Sequence, residues 1–191
     1  MSALPNVYIT EQDYLEMERI SPFKNEYYRG QVYAMAGATY RHSKIISNLV
    51  GQIYPKIKNT GCNAFFSDLR IHVPNPPFYA YPDIVILCNK PQFSDDAADT
   101  IENPTVIIEV LSKSTENYDK SVKFGLYRFN RSFKEYILIH QDSPKIEIFK
   151  KIDDFNWAQG ESSDINRTIT IDTLNIEIGL RDIYEEIEFE N

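Results

Sequence analysis

The run EYILIH, residues 135–140, constrains the fold more than any other stretch of this chain. Side chains of a strand alternate between the two faces of its sheet, so a strand apolar at nearly every position is covered on both sides. The chain must therefore supply material for both faces, and candidates are legible on either side of the run. Thr10-Glu11-Gln12-Asp13 reads as a capping box opening a short helix that ends at Ser21-Pro22. NEYYRGQVYAM (25–35) alternates around Arg29-Gly30 and predicts a hairpin. Ile45, Ile46, Leu49, Val50, Ile53, Tyr54 and Ile57 recur at helical spacing, with Pro55 in the last turns and Gly61 as a stop. Three strand-like runs follow, 63–73, 80–88 and 105–111, separated by the Pro-rich loop PNPPFY and by a polar loop holding Asp95, Asp96 and Asp99. A helix is expected over about 116–129, with Tyr118, Val122, Leu126 and Phe129 as its buried stripe. After Gln141, KIEIFKK, FNWAQG and RTITID alternate at period two and read as an antiparallel meander, with a final helix near Arg181. This order predicts an α/β sandwich with a central mixed sheet, flanking helices and a C-terminal antiparallel β extension.

Length and composition narrow the class further. At 191 residues, with 42% hydrophobic and 25% charged side chains, the chain is expected to form one domain over 1–191 and cannot be wholly disordered. No apolar run approaches the ~20 residues of a membrane span. The first 18 residues lack the basic and apolar segments of a secretory signal, which predicts a soluble cytoplasmic protein. Cys62 and Cys88 have no metal-ligand spacing and are expected as small buried thiols in a reducing compartment. The formal net charge of −8 argues against a polyanionic partner, but the charge is uneven. Arg19 to Arg70 carries eight basic residues against two acidic, and 113–134 carries six against two. A nucleic acid would have to approach these segments.

Two acids stand where acids are costly. Asp83 heads DIVILC and Glu109 lies within VIIEVL, and a buried carboxylate needs a partner or must take up a proton. Either alone reads as one half of an ion pair. Two on consecutive strands, each followed by a polar loop, point to a shared divalent cation such as Mg²⁺ or Mn²⁺, which takes oxygen ligands and can activate water against a phosphodiester. Pro82-Asp83 followed by Glu109 also follows the nuclease pattern PD…(D/E)xK, except that Leu111 occupies the lysine position. The amine would then come from Lys123 on the following helix or from Lys113 in the Ser-Lys-Ser loop. Glu26, in the hairpin beside Tyr27 and Tyr28, is a further candidate ligand or hydrogen-bond partner. Asp68 is expected to pair with Arg70, and His42 to bind a phosphate or cap its helix. No dinucleotide, P-loop, acyl-hydrolase or paired-cysteine motif is present.

Taken in order, NEYYRGQVYAMAG, His42 before an Asn48-Leu49 helix, FSDLRIHVP, YPDIVIL, NPTVIIEVLSKSTENYDKSVKFGLYR and EYILIHQD make a chain that resembles the Uma-two family from about Thr10 to Tyr184. The resemblance implies a restriction-endonuclease-like, PD-(D/E)XK fold and a metal-dependent nuclease core with Asp83 and Glu109 as metal ligands. It implies that the lysine of a D-x-x-x-K helix segment, here Asp119 to Lys123, replaces the missing strand lysine. Glu26 matches the glutamate of the family's hairpin. Two departures stand out: Lys113 where the family usually has proline, and Val122 where it usually has glutamate. The expectation is an Mg²⁺- or Mn²⁺-dependent endonuclease acting on DNA, as a homodimer. The alternative is an inactive module of the same fold that binds nucleic acid or protein.

Overall fold

The computed structural model describes residues 8–189. Residues 1–7, where part of the signal-segment reading falls, and 190–191 lie outside them. α1 (Glu11–Ile20) is capped by Thr10, whose hydroxyl accepts from the Asp13 N–H at 3.1 Å. β1 (Asn25–Tyr28) and β2 (Gln31–Ala34) form the expected hairpin. Its turn places Arg29 at φ 47° and Gly30 at φ 83°, and two positive φ values match the twist of the flanking strands. α2 (Tyr40–Ile57) is capped by Thr39, buries Ile45, Leu49, Ile53 and Ile57, and accommodates Pro55 in its last turn.

Two of the three strand-like runs are broken. The first splits into β3 (Asn63–Phe66) and β4 (Arg70–Pro74), because Ser67 at φ 60° turns the chain out of one sheet into another. The second begins earlier than expected: Pro77–Ala80 is β5, the return strand of a hairpin with β4, so PNPPFY is a turn plus a strand. Tyr81-Pro82-Asp83 then precedes β6 (Ile84–Leu87). The third run is β8 (Val106–Leu111), after a two-residue β7 (Thr100–Ile101). β9 (Glu135–His140) pairs parallel with β8, and β10 (Ile146–Lys151) and β11 (Trp157–Ser162) continue the sheet antiparallel. The last part of the expected meander separates: β12 (Thr168–Ile171) and β13 (Ile176–Gly179) make their own ribbon, followed by α5 (Leu180–Ile183).

A central mixed sheet, ordered β11-β10-β9-β8-β6-β3, therefore carries the fold, as expected. One face packs on α2, α5 and the β12–β13 ribbon through Ile84, Ile86, Val106, Ile108, Val110, Ile137 and Ile139. The other face, with Val85, Leu87, Ile107, Leu111 and Leu138, meets a layer that the sequence suggested only in pieces. This is a second sheet, ordered β2-β1-β5-β4-β7, joined by the helical segment after β8. EYILIH is buried along its length apart from its last residue, as its apolar character requires.

That helical segment is irregular. It comprises α3 (Glu116–Tyr118), a π turn (Asp119–Lys123) and α4 (Phe124–Tyr127). A π turn holds one residue more than an α turn, and it moves the buried stripe along the sequence. Val122 and Phe129, expected inside, are 42% and 62% exposed, whereas Asp119, Lys123 and Tyr127 are buried. The Tyr136 hydroxyl, from β9, donates to the Asp119 carbonyl at 3.1 Å.

Cys62 and Cys88 are joined in a disulfide, which corrects the expectation of free thiols and removes the support it gave to a reducing compartment. The pairing follows from register. Asn63 lies opposite Leu87 in the β3–β6 ladder, so the next residues out, 62 and 88, are opposite each other. Among the described residues, no helix is long and apolar enough to cross a membrane.

Candidate active site

Strand register brings the two acids together. β6 and β8 run antiparallel with Ile84 opposite Ile108, which sets Asp83 against Glu109 at the end of β6. The Val110 N–H donates to Asp83 Oδ2 at 2.7 Å, and the Asp83 N–H donates to Glu109 Oε2 at 3.2 Å. Asp83 Oδ2 also lies 3.1 Å from His42 Nε2, in the first turn of α2. His42 thus neither caps the helix, a role taken by Thr39, nor stands free for a phosphate. It holds an acid.

The opposite layer supplies the amine. Lys123 Nζ is 3.0 Å from Glu109 Oε1, 2.9 Å from Glu26 Oε1 and 3.5 Å from Asp119 Oδ1. Lys113 is exposed in the turn after β8, and Leu111 is buried in the apolar core, so of the two candidate lysines only Lys123 reaches the acids. Tyr118 donates to Glu26 Oε2 at 3.2 Å and Tyr127 to Glu109 Oε1 at 3.3 Å. Asp119, Tyr118 and Tyr127 were not singled out as partners of Lys123. The i, i+4, i+8 recurrence of Asp119, Lys123 and Tyr127 was the available signal, hidden by the apolar stripe one position out of phase.

Burial governs the electrostatics. It pushes the Glu109 carboxyl up to about 8 against the pull of Lys123, with the charges of Asp83 and Asp119 adding to the rise. Asp119 is raised for the same first reason. Burial works against the Lys123 ammonium, but Glu109, Glu26 and Asp119 outweigh it and hold the amine well above its ordinary value. At His42, burial disfavours the charged ring, and the hydrogen bond and charge of Asp83 more than compensate. Tyr127 is held neutral by burial and acts only as a donor.

The chemistry of this donor set fits a hard cation. Four carboxyl groups, on Glu26, Asp83, Glu109 and Asp119, face one ammonium and one imidazole, so acidic groups outnumber basic ones. Among the described residues, no three His, Cys, Asp or Glu side chains are grouped to enclose a metal ion. Asp83 and Glu109 are the two carboxylates here that could hold magnesium, an ion often bound by one or two carboxylates while keeping several waters. Asp83 is the solvent-facing member, with 18% of its side chain exposed, and Glu109 forms the floor. A cleft of ≈ 630 Å³ between β11 and β12, lined by Ile148, Gly160, Arg167 and Thr168, contains none of these groups.

Two charge expectations need correction. Asp68 does not pair with Arg70. It pairs with Lys24 across the turn after β3, and Arg70 is 3.0 Å from Asp99, because Ser67 and Asp68 turn the chain before Arg70 enters β4. The basic N-terminal half is also largely neutralised: Arg19 pairs with Asp95 and Asp99, Arg41 with Asp142 and Lys44 with Glu186.

The chain has relatives. An uncharacterized protein of Synechocystis sp., sll1609, is 32% identical over 161 residues, covering 82% of this chain and 91% of that protein. A second uncharacterized protein of the same organism, slr1290, is 34% identical over 149 residues, covering 78% and 77%. The crystal structure of "a putative nuclease belonging to DUF820" from Anabaena variabilis superposes with a TM-score of 0.73 over 94% of this chain and 99% of that one. At 17% identity, that likeness concerns the fold. A family model described as "Putative restriction endonuclease" matches residues 11–181, from the first residue of α1 into α5, and so spans every side chain of the acid–lysine cluster. This chain belongs to that family, Uma2.

Proposed function

We propose that the protein is a divalent-metal-dependent endonuclease that hydrolyses phosphodiester bonds in DNA, with Mg²⁺ or Mn²⁺ as its cofactor. The observation that carries this reading is the Lys123 ammonium, buried and 3.0 Å from a glutamate that stands opposite Asp83 on the neighbouring strand. Asp83 and Glu109 are the residues that would hold the ion. When bound, such an ion supplies Lewis-acid polarisation of the phosphate and a water of lowered pKa.

The protein's own groups do the rest. Lys123 stays protonated, so it is a fixed positive charge beside the phosphate and not a general base; it stabilises charge that develops on the phosphoryl oxygens. Glu26 and Asp119 keep that amine in place, with Tyr118 fixing Glu26 in turn. His42 and the Val110 N–H orient Asp83.

Purified protein is expected to cleave plasmid DNA with Mg²⁺ or Mn²⁺ and not with chelator. Asp83→Asn and Glu109→Gln should abolish cleavage, and Lys123→Met should lower it by roughly 10²–10³-fold. DNA binding with no cleavage under any divalent ion would replace this reading with that of an inactive binding module of the same fold.

A further inference from the structure

Three aromatic residues whose side chains are exposed sit on segments that are bonded to Asp83, and none belongs to the hydrophobic core. Phe66 ends the edge strand β3, opposite Ile84, and is 50% exposed. The next residue, Ser67, donates its N–H to the Asp83 carbonyl at 3.1 Å. Phe23 is 75% exposed, and the adjoining Lys24 binds the Ser67 carbonyl. Tyr40 is 79% exposed and begins α2, two residues before the histidine that contacts Asp83. Each of the three residues is thus linked along the chain to a group that contacts Asp83: Phe66 through Ser67, Phe23 through Lys24 and Ser67, Tyr40 through His42.

The cations on the same elements tell the complementary story. Lys24 is paired with Asp68, Arg41 with Asp142, Lys44 with Glu186, Lys120 with Glu116 and Glu147, and Lys123 with the site acids. Of the lysines and arginines in the described segments 23–26, 40–44, 66–68 and 113–123, only Lys113 has no carboxylate partner. A DNA duplex presents one charge per ≈ 1.7 Å and hides the faces of its bases, so a protein that grips it needs a row of free lysines and arginines. This surface offers rings instead. Ring surfaces suit bases that are already unstacked, whose faces any aromatic side chain can cover irrespective of sequence.

We propose that Phe23, Tyr40 and Phe66 form a base-stacking platform, and that the strand delivered to Asp83 and Glu109 is single-stranded or locally unpaired DNA. The proposal rests on the nuclease reading for the purpose of the platform but not for its existence. It is tested on the full chain in chelator, by fluorescence anisotropy with a labelled mixed-sequence strand of about 20 nucleotides and the same strand in duplex form. The free strand should bind at least ~10-fold more tightly than the duplex, and Phe66→Ala should weaken strand binding ~10-fold. Phe66→Trp should bind like the parent, while Phe66→Leu, equally apolar but without a ring face, should behave like the alanine variant. These positions are exposed, so the variants should keep the parent circular dichroism and melting temperature.

Equal or tighter duplex binding would overturn the proposal, as would unchanged strand binding in both Phe66→Ala and Phe66→Leu. Self-association in sedimentation velocity that is lost in Phe66→Ala, with no binding of either DNA, would also overturn it and assign the rings to a protein interface. The two readings fail separately. Metal-dependent cleavage with a duplex preference sinks the platform and leaves the nuclease; strand binding that needs Phe66, with no cleavage under any divalent ion, supports the platform and sinks the nuclease.

Discussion

Replacing Lys123 by methionine tests the charge balance of the site without reference to catalysis. The amine lies within 3.5 Å of three carboxylates and is about as buried as they are, so its removal leaves negative charge in the interior with no counterion. Breaking a buried pair by removing one partner costs about 3–5 kcal/mol. A second route gives a similar figure. With the amine gone, at least one further carboxyl must take up a proton on folding, and a carboxyl with an unfolded value near 4.3 forfeits about 1.4 kcal/mol per pH unit above it, roughly 4 kcal/mol at about pH 7.5. The sign follows from the direction of the shifts. A carboxyl raised in the folded state contributes fully below its unfolded value and loses that contribution as pH rises towards its folded one. Lys123 itself is raised, so in the parent its contribution is constant from about pH 5 to 8 and is lost only in strong base. The deficit of Lys123→Met should therefore shrink to about 1 kcal/mol at about pH 5. Urea unfolding of metal-free parent and variant across this range measures it. A deficit below about 1 kcal/mol at neutral pH, as expected of an exposed pair, or one that does not change with pH, would refute the reasoning.

Other predictions concern the frame around the site. Tyr136→Phe removes the donor to the Asp119 carbonyl in the π turn and should cost about 1 kcal/mol in thermal or urea unfolding, against no change if that bond is immaterial. The Arg19 hydrogen bonds hold the Asp99 carboxyl well below the usual carboxylate range, so its contribution is complete above about pH 4 and is lost as pH falls towards the folded value. Asp99→Asn should therefore be less stable at neutral pH and show a shallower decline in acid, read from melting temperatures across that range. The disulfide spans a separation of 26 residues, and in the oxidised protein the double change Cys62→Ser with Cys88→Ser should cost ~3 kcal/mol in urea unfolding. Thiol titration of the denatured, unreduced parent should find no free thiol.

What the sequence disclosed tracks how local each determinant is. The Thr10 cap, the Arg29-Gly30 turn and the dry β9 strand depend on a few neighbouring residues, and all are present as read. Asp83 and Glu109 could be singled out because an acid in an apolar strand is conspicuous, and strand pairing brought them together. The break at Ser67 carried no glycine or proline to announce it, so 63–73 read as one strand. At 116–129 a regular helical period was assumed, and one extra residue in a turn was enough to bury Lys123 and expose Val122. The Lys24–Asp68 and Arg70–Asp99 pairs, like the disulfide, depend on which strands become neighbours in space, which no local window contains.

The irregular turn also makes chain length at this point a matter of chemistry. Excising one residue between Tyr118 and Lys123 would restore ordinary helical spacing and swing everything beyond it by about 100°. The strands β8 and β9 on either side could keep their ladder, so the architecture would survive while the ammonium left the acids. The same excision in the exposed hairpin bend at 152–156 would leave the acids and the amine where they are. Insertions and deletions in this chain are thus tolerated or ruinous according to a single turn, in a way that residue identities alone do not reveal.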